Sequence, residues 1–293
     1  MRTAEYPRPS HTLVHISDTH LIAHEDGLLY GVADATRHAE RLLAELERME
    51  LGAEALVFTG DLADTGDPRA YRELRRLVEA TASCLDAQVL WCMGNHDRRE
   101  TFREFLLGQE PSDEPFDGVT LLGGLRVIVL DSTVPGHAEG EVRPDQLAWL
   151  AEVLAEPAPE GTLLAMHHPP MPCVQDMSIT CELHGQEAFA DVLRGTDVRA
   201  ILAGHVHHAS HAMFAGIPVS TATATSYTQD LTMPDRGTRG RDAAQGFNVV
   251  RVFPETIHHA IVEPGGGRTV GREFAGVASR QVLADEGIVI PVS

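Results

Sequence analysis

Lysine is absent from this chain: all 23 basic side chains among its 293 residues are arginine, against 43 acidic ones, for a formal net charge of −20. No run of basic residues relieves that balance. A field of this sign repels a phosphate backbone, which argues against nucleic-acid binding through a broad basic face. A small anion can still bind where metal ions supply local positive charge. The all-arginine usage reads as codon bias from a GC-rich genome, and the acidity as a solubility device. Aromatic residues are scarce, at 5%. Long apolar runs are missing: none approaches the roughly 20 residues that span a bilayer. The segment Met1 to Pro7 lacks the apolar core of a signal peptide. The four cysteines (Cys84, Cys92, Cys173, Cys181) contain no Cys-x-x-Cys pair, so the expectation is free thiols in a reduced, cytoplasmic protein, with envelope association as the alternative. No internal repeat is visible. The rest, 43% hydrophobic, suits one large α/β domain or two small ones.

Short buried strands are expected at residues 12–16, 55–58, 89–93, 162–166 and 199–203. Residues 33–50 place Ala35, Ala39, Leu42, Leu46 and Met49 on one helical face. Asp67-Pro68 marks the N-cap and first position of a second helix. Another short helix is expected over 98–107, one opening at Pro144, and one near 185–194. Gly123-Gly124 between two apolar runs predicts a two-residue hairpin turn. After residue 208 the expected strands (209–214, 217–222, 248–253, 256–262) follow without intervening helices, and residues 227–245 read as a loop. Alternation first and strand pairs later imply a mixed sheet system covered by helices. Residues 263–293 have weak periodicity and read as an appendage to a catalytic domain spanning 10–262.

Five short polar motifs each follow an apolar run: Asp18-Thr19-His20, Gly60-Asp61, Gly94-Asn95-His96-Asp97, His167-His168 and Gly204-His205-Val206-His207. Open α/β sheets place their ligands at such strand ends. Each piece alone is weak; a Gly-Asp pair is usually a turn, and alternating histidines can line a sheet. Together they supply enough oxygen and imidazole donors for two divalent ions, with at least one carboxylate able to bridge. Glycine before Asp61 and Asn95 lets the chain turn tightly and bring the ligand close. Two such ions turn water into a nucleophile against a phosphate ester.

This ordered set, over roughly residues 10–262, resembles the calcineurin-like metallophosphoesterases. His15-Ile16-Ser17-Asp18-Thr19-His20-Leu21, Phe58-Thr59-Gly60-Asp61-Leu62-Ala63-Asp64 and Ile201-Leu202-Ala203-Gly204-His205 are similar to the class III cyclic nucleotide phosphodiesterases. Val134-Pro135-Gly136-His137, Arg194 to Arg199 and Ser226 to Leu231 resemble the mycobacterial kind. The resemblance implies a four-layer αββα sandwich. It also implies one metal, often iron, on Asp18, His20, Asp61 and His207, and a second, often manganese, on Asp61, Asn95, His167 and His205. Asp61 would bridge. Zinc is an alternative occupant, and a homodimer is implied as well.

Within that frame His96 is expected to donate a proton or hydrogen bond to the leaving oxygen. Asp64 resembles the carboxylate that orients this histidine; the other reading is a turn cap. Asp97 is expected to cap the following helix, His168 to point away, and His258-His259 to lie on the surface. Met166, Met171 and Met177 line a pocket wall or pack loops. Thr65 stands where the serine/threonine protein phosphatases carry a phosphate-clamping arginine, which counts against a phosphoprotein substrate. The expected activity is hydrolysis of 3′,5′-cAMP, with 2′,3′-cyclic esters a further possibility. A broad phosphodiesterase acting on glycerophosphodiesters is the alternative. A metal-stabilised interaction module would be expected to have lost ligands or His96, and neither is lost.

Overall fold

In the computed structural model, which describes residues 2–23, 27–265 and 267–292, two central strands of the first sheet are buried along their whole length. β1 (His11–Ile16) and β2 (Ala55–Thr59) expose no residue, and β3 (Gln88–Cys92) is their parallel neighbour. Strands apolar on both faces need cover on both sides. On the outer face the cover is α1 (Ala35–Arg48) and α2 (Pro68–Leu85). Val14, Ile16, Leu56 and Phe58 pack there against Leu42, Leu46, Leu74 and Val78. Each fully buried aliphatic side chain contributes about 1.5–3 kcal/mol. Asp34 caps α1 through Arg37 N, and Asp67 caps α2 through Arg69 N with Pro68 at its first position, as the Asp67-Pro68 pair predicted.

The second sheet is built from β4 (Gly118–Leu122), β5 (Leu125–Leu130), β6 (Thr162–Met166), β7 (Val198–Ala203), β8 (Ser210–Phe214) and β9 (Ile217–Thr221). Its order is β8-β9-β7-β6-β5-β4. β4 and β5 form the hairpin expected at Gly123-Gly124, with Leu122 opposite Leu125. Helices α3 (Pro144–Leu154) and α4 (Gln186–Leu193) cover the outer face through Leu150, Leu154, Phe189 and Leu193. The chain then returns to the first sheet: β10 (Phe247–Val252) lies antiparallel beside β1, and β11 (Ile257–Val262) closes that edge. The inner faces of the sheets meet through Leu13, Val57, Val127, Leu163, Leu202 and Val250. Helix, sheet, sheet, helix is the four-layer arrangement expected.

Three segments differ from expectation. Residues 98–107 form one α-turn (Arg99–Thr101) running into a wider π-turn (Phe102–Leu107) rather than one α-helix. Within 227–245 two short strands, Thr228–Gln229 and Gly240–Arg241, pair around a 3-10 turn at Pro234–Arg236. The tail carries α5 (Gly276–Asp285), which buries no residue; a helix with no buried face has no need of apolar periodicity, which is why the sequence showed little. After it Ile288–Val289 pairs with Arg2–Thr3. Gly266 and Ser293 of that tail lie outside the described residues.

The expected surface placement of His258-His259 holds for His258 only. His259 lies opposite Val250, an inner-face residue, and both its ring nitrogens are buried without a hydrogen-bond partner, as is His15 Nδ1. Burial, with His259 nearby, pushes the His15 pKa down to about 3. Burial, with His211 and His258 nearby, pushes His259 down to about 4. Both values lie below that of the unfolded imidazole, so the unfolded chain takes up protons first as pH falls. Stability is therefore lost as pH drops from about 6.5 towards these values. His259→Phe is expected to remove one share of that loss. In urea unfolding at fixed metal content, its midpoint should gain on the wild type between about pH 7 and about pH 5; a gap that does not change with pH would contradict this.

Candidate dinuclear metal centre

The C-terminal ends of β1, β2 and β3 point toward those of β6 and β7, and the five motifs follow them. Asp18 and His20 follow β1, Asp61 and Asp64 follow β2, Asn95 and His96 follow β3, His167 follows β6, and His205 and His207 follow β7. Five of the seven expected ligands are left-handed: Asp18 (φ 53°), His20 (40°), Asp61 (50°), His205 (72°) and His207 (54°). Such backbones cost a non-glycine residue of order 1–3 kcal/mol each and persist only where the surroundings over-determine them. The glycines beside them answer to close approach. A Cβ on Gly94 would stand 2.2 Å from Asp61 N, and one on Gly204 would stand 1.9 Å from Ser17 Oγ.

The side chains converge as two overlapping sets. Asp18, His20, Asp61 and His207, all buried, place one donor atom each within 4.8 Å of one another. His20 Nε2 lies 3.1 Å from His207 Nε2, and His207 Nε2 lies 3.4 Å from Asp18 Oδ1. In the second set His167 Nε2 lies 3.1 Å from Asn95 Oδ1 and 3.1 Å from His205 Nδ1. Asp61 belongs to both, because its Oδ2 is 3.3 Å from His20 Nε2 and 3.3 Å from His167 Nε2. Donors each about 2.1 Å from one ion stand roughly 3–3.4 Å apart at tetrahedral or octahedral angles, so the observed spacings fit ligands of a common ion.

The outer nitrogens strengthen the fit. His20 Nδ1 donates to Asp64 Oδ1 (3.1 Å), His167 Nδ1 to Thr59 O (2.7 Å), His207 Nδ1 to Tyr227 O (2.8 Å) and His205 Nε2 to Cys181 O (2.8 Å). Acceptor-only partners fix the proton on the outer nitrogen and turn the inner lone pair toward the centre, the arrangement usual for metal-ligating imidazoles. Asp61 is oriented in the same way, its Oδ1 accepting from His96 N at 2.9 Å. Asp18 accepts from His205 N at 3.1 Å.

The buried carboxylate and imidazoles of the cluster set one another's protonation. Burial works to raise Asp61, yet His167 and His20 outweigh it and hold its carboxyl well below the usual range. Burial works to lower His20 and His167, and Asp61 outweighs it, pushing them up to about 10 and about 9. His205 is pushed down to about 3 and His207 well below its ordinary value by burial, with His167 and His20 respectively adding to the effect.

His96 Nδ1 donates to Asp64 O at 2.7 Å and lies 3.5 Å from Asp64 Oδ1. That leaves Nε2 for the cleft, a cavity of about 280 Å³ that His96 lines together with Asn95, His205, His207, Cys181 and Met177. Asp64 is thus in contact with His96 rather than capping a turn. Asp97 does not cap the next helix. Its carboxylate accepts from Leu62 N, Ala63 N, Gly94 N and Tyr71 Oη, tying the loop after β2 to the loop after β3. His168 has both nitrogens engaged, by Ser132 Oγ and Ala138 O, and so takes no part. Of the three methionines, Met166 and Met171 are core, and only Met177 reaches the cleft. The described cysteines are free. Sequence reasoning missed the backbone carbonyls of Thr59, Tyr227 and Cys181, which carry no residue signature. It also missed the buried Arg99–Asp131 pair at 2.9 Å, whose arginine also donates to Thr133 O.

Two outcomes follow. An ion entering this cluster must displace the protons held by His20 and His167, so apparent affinity for Mn²⁺ should rise with pH up to about pH 10. Calorimetry in buffers of different ionisation enthalpy should record proton release on binding; no release would contradict the assignment. Gly94→Ala should displace Asp61 and lower activity by about 100-fold or more, with loss of metal measured by elemental analysis.

Comparison with known proteins agrees with this geometry. The Calcineurin-like phosphoesterase family model matches residues 11–209. A cAMP/cGMP dual specificity phosphodiesterase from Mycobacterium tuberculosis is 56% identical over 293 residues, covering 100% of this chain and 92% of the relative. The glycerophosphodiester phosphodiesterase GpdQ of Enterobacter lignolyticus is 30% identical over 73% of this chain and 77% of its own length. Among solved structures, a dimetal phosphatase from Danio rerio superposes with a TM-score of 0.60 at 18% identity, covering 84% of this chain and 93% of that one, which speaks to the fold. The chain belongs to the calcineurin-like phosphoesterase family.

Proposed function

We propose that this protein hydrolyses 3′,5′-cyclic nucleotides at a centre of two divalent ions. One ion would be held by Asp18, His20, Asp61 and His207, the other by Asp61, Asn95, His167 and His205. The observation that carries the reading is the set of four imidazoles, each with its outer N–H committed to an acceptor, whose inner nitrogens meet Asp61 directly at His20 and His167 and meet those two rings at His207 and His205. When bound, the ions supply an activated water nucleophile and stabilise charge on the phosphoryl oxygens. Asn95 contributes a neutral oxygen that adds no negative charge where an anionic diester must approach. His96, braced by Asp64, presents Nε2 to the leaving ribose oxygen and donates a proton or hydrogen bond there. The choice of cyclic nucleotide rests on the whole-chain similarity to the mycobacterial enzyme. Iron and manganese are the proposed ions, with zinc as the alternative. Residues 10–262 would form the catalytic domain and 263–293 an appendage. A homodimer in the cytoplasm completes the reading; among the described residues no helix is long and apolar enough to cross a membrane.

A second reading, hydrolysis of glycerophosphodiesters, is favoured by the similarity to GpdQ. Steady-state assays of Mn²⁺-reconstituted protein on 3′,5′-cAMP, 2′,3′-cAMP and a glycerophosphodiester separate the two. The proposal expects a cyclic nucleotide to have the highest kcat/KM, Asn95→Ala to be inactive, and His96→Asn to lose about 10²- to 10⁴-fold in kcat on 3′,5′-cAMP. A glycerophosphodiester as best substrate would move the assignment to the second reading.

A further inference from the structure

Tyr30 belongs to none of the motifs above, yet its hydroxyl donates to Asp64 Oδ1 at 3.1 Å. The residue is 63% exposed, and its backbone is left-handed, with φ 51°. Water could satisfy an exposed phenol without a strained backbone. The contact must therefore be held by what lies beneath it. Leu29 and Ala33, on either side of the turn, bond to each other in both directions through their main chains. They form a small buried cluster that packs against Tyr227. The Tyr30 ring meets Tyr227 edge-on at 5.7 Å. Tyr227 in turn lies 4.3 Å from the His207 ring and accepts from His207 Nδ1. An exposed hydroxyl is thus carried on a buried footing that also braces the metal centre.

Asp64 Oδ1, which receives that hydroxyl, also accepts from His20 Nδ1 at 3.1 Å and faces His96 Nδ1 at 3.5 Å. Two hydrogen bonds, from Tyr30 and His20, restrain the carboxylate from rotating about its last torsion, while the Nδ1–H of His96 goes to the main-chain oxygen of Asp64 at 2.7 Å. Without Tyr30, the one remaining hydrogen bond to the carboxylate would come from His20. We propose that Tyr30 is a positioning residue: it fixes the Asp64 carboxylate beside the His96 ring, which is hydrogen-bonded to the main-chain oxygen of Asp64, so that His96 presents Nε2 to the leaving oxygen. This rests on the role given to His96 under the proposed function.

The consequence depends on the leaving group. A ribose alkoxide leaves poorly without a proton, whereas p-nitrophenolate leaves without help. Tyr30→Phe removes the hydroxyl and keeps the ring, its contact with Tyr227 and the backbone, so folding and metal content should match the wild type.

The experiment compares wild type, Tyr30→Phe, His96→Asn and the double variant as Mn²⁺-loaded full-length proteins. Substrates are 3′,5′-cAMP and bis(p-nitrophenyl) phosphate, with kcat and KM determined separately. The inference expects Tyr30→Phe to lower kcat on 3′,5′-cAMP about tenfold, a fraction of the whole acid contribution. KM should be nearly unchanged and the loss on the aryl ester far smaller. His96→Asn should show the same selectivity more strongly, and the double variant should be no worse than His96→Asn alone. Equal losses on both substrates from Tyr30→Phe, or a raised KM alone, would overturn the inference in favour of a structural or substrate-contact role. No loss from Tyr30→Phe while His96→Asn discriminates would overturn it and leave the reading of His96 standing. If His96→Asn itself fails to discriminate, the acid role falls and the inference falls with it.

Discussion

One carboxylate organises this molecule. Asp61 is buried, left-handed and equidistant, at 3.3 Å, from His20 Nε2 on one side and His167 Nε2 on the other. It is held there by the amide of His96 and by the bare backbone of Gly94, which leaves room for nothing larger. Taking a carboxylate and several imidazoles out of water costs several kcal/mol per charge. The apolar layers on both faces of the two sheets offset that cost during folding, and a bound cation would return part of it. The polar centre and the hydrophobic core are thus energetically coupled through this residue.

The division of labour between the sheets follows from the donors required. β1, β2 and β3 deliver the oxygen ligands Asp18, Asp61 and Asn95, while β6 and β7 deliver His167, His205 and His207. Only His20 departs from this rule. Each proposed ligand set therefore spans both sheets, and its geometry depends on how Leu13, Val57, Leu163 and Leu202 pack between them. Interiors of this density do not deform continuously, so ligand spacings of 3.1–3.4 Å can be held without flexible loops having to find them. The second ring of partners, Thr59 O, Tyr227 O, Cys181 O and Asp64, extends that rigidity to the imidazole planes.

How much of this was legible in the sequence depended on whether a side chain or the backbone did the work. The ligand motifs were readable because metal binding demands particular side chains at strand ends, and Asp18, His20, Asp61, Asn95, His167, His205 and His207 all converge as expected. The glycines at 60 and 94 were readable because the chain must turn tightly to bring the next side chain inward, and a Cβ at either would stand under 3 Å from its neighbours. The buried strands were legible in the apolar runs at 55–58 and 162–166, and the two-sheet arrangement in the family resemblance. Asp97 was misjudged because its position before a helix suggested a cap, whereas three of its partners, Leu62 N, Ala63 N and Tyr71 Oη, lie far away in sequence. His259 was misjudged because a polar pair near an edge looks exposed until the register of β10 and β11 turns one member inward. The carbonyl partners of the imidazoles, and the reach of Tyr30 to Asp64, are properties of tertiary placement and leave no local pattern.

The most direct test of the account is anomalous diffraction from crystals of the Mn²⁺-loaded protein. The account predicts two peaks about 3.5–4 Å apart on either side of Asp61 Oδ2, one ringed by Asp18, His20 and His207 and the other by Asn95, His167 and His205. A single peak, or two peaks that do not share Asp61, would contradict it.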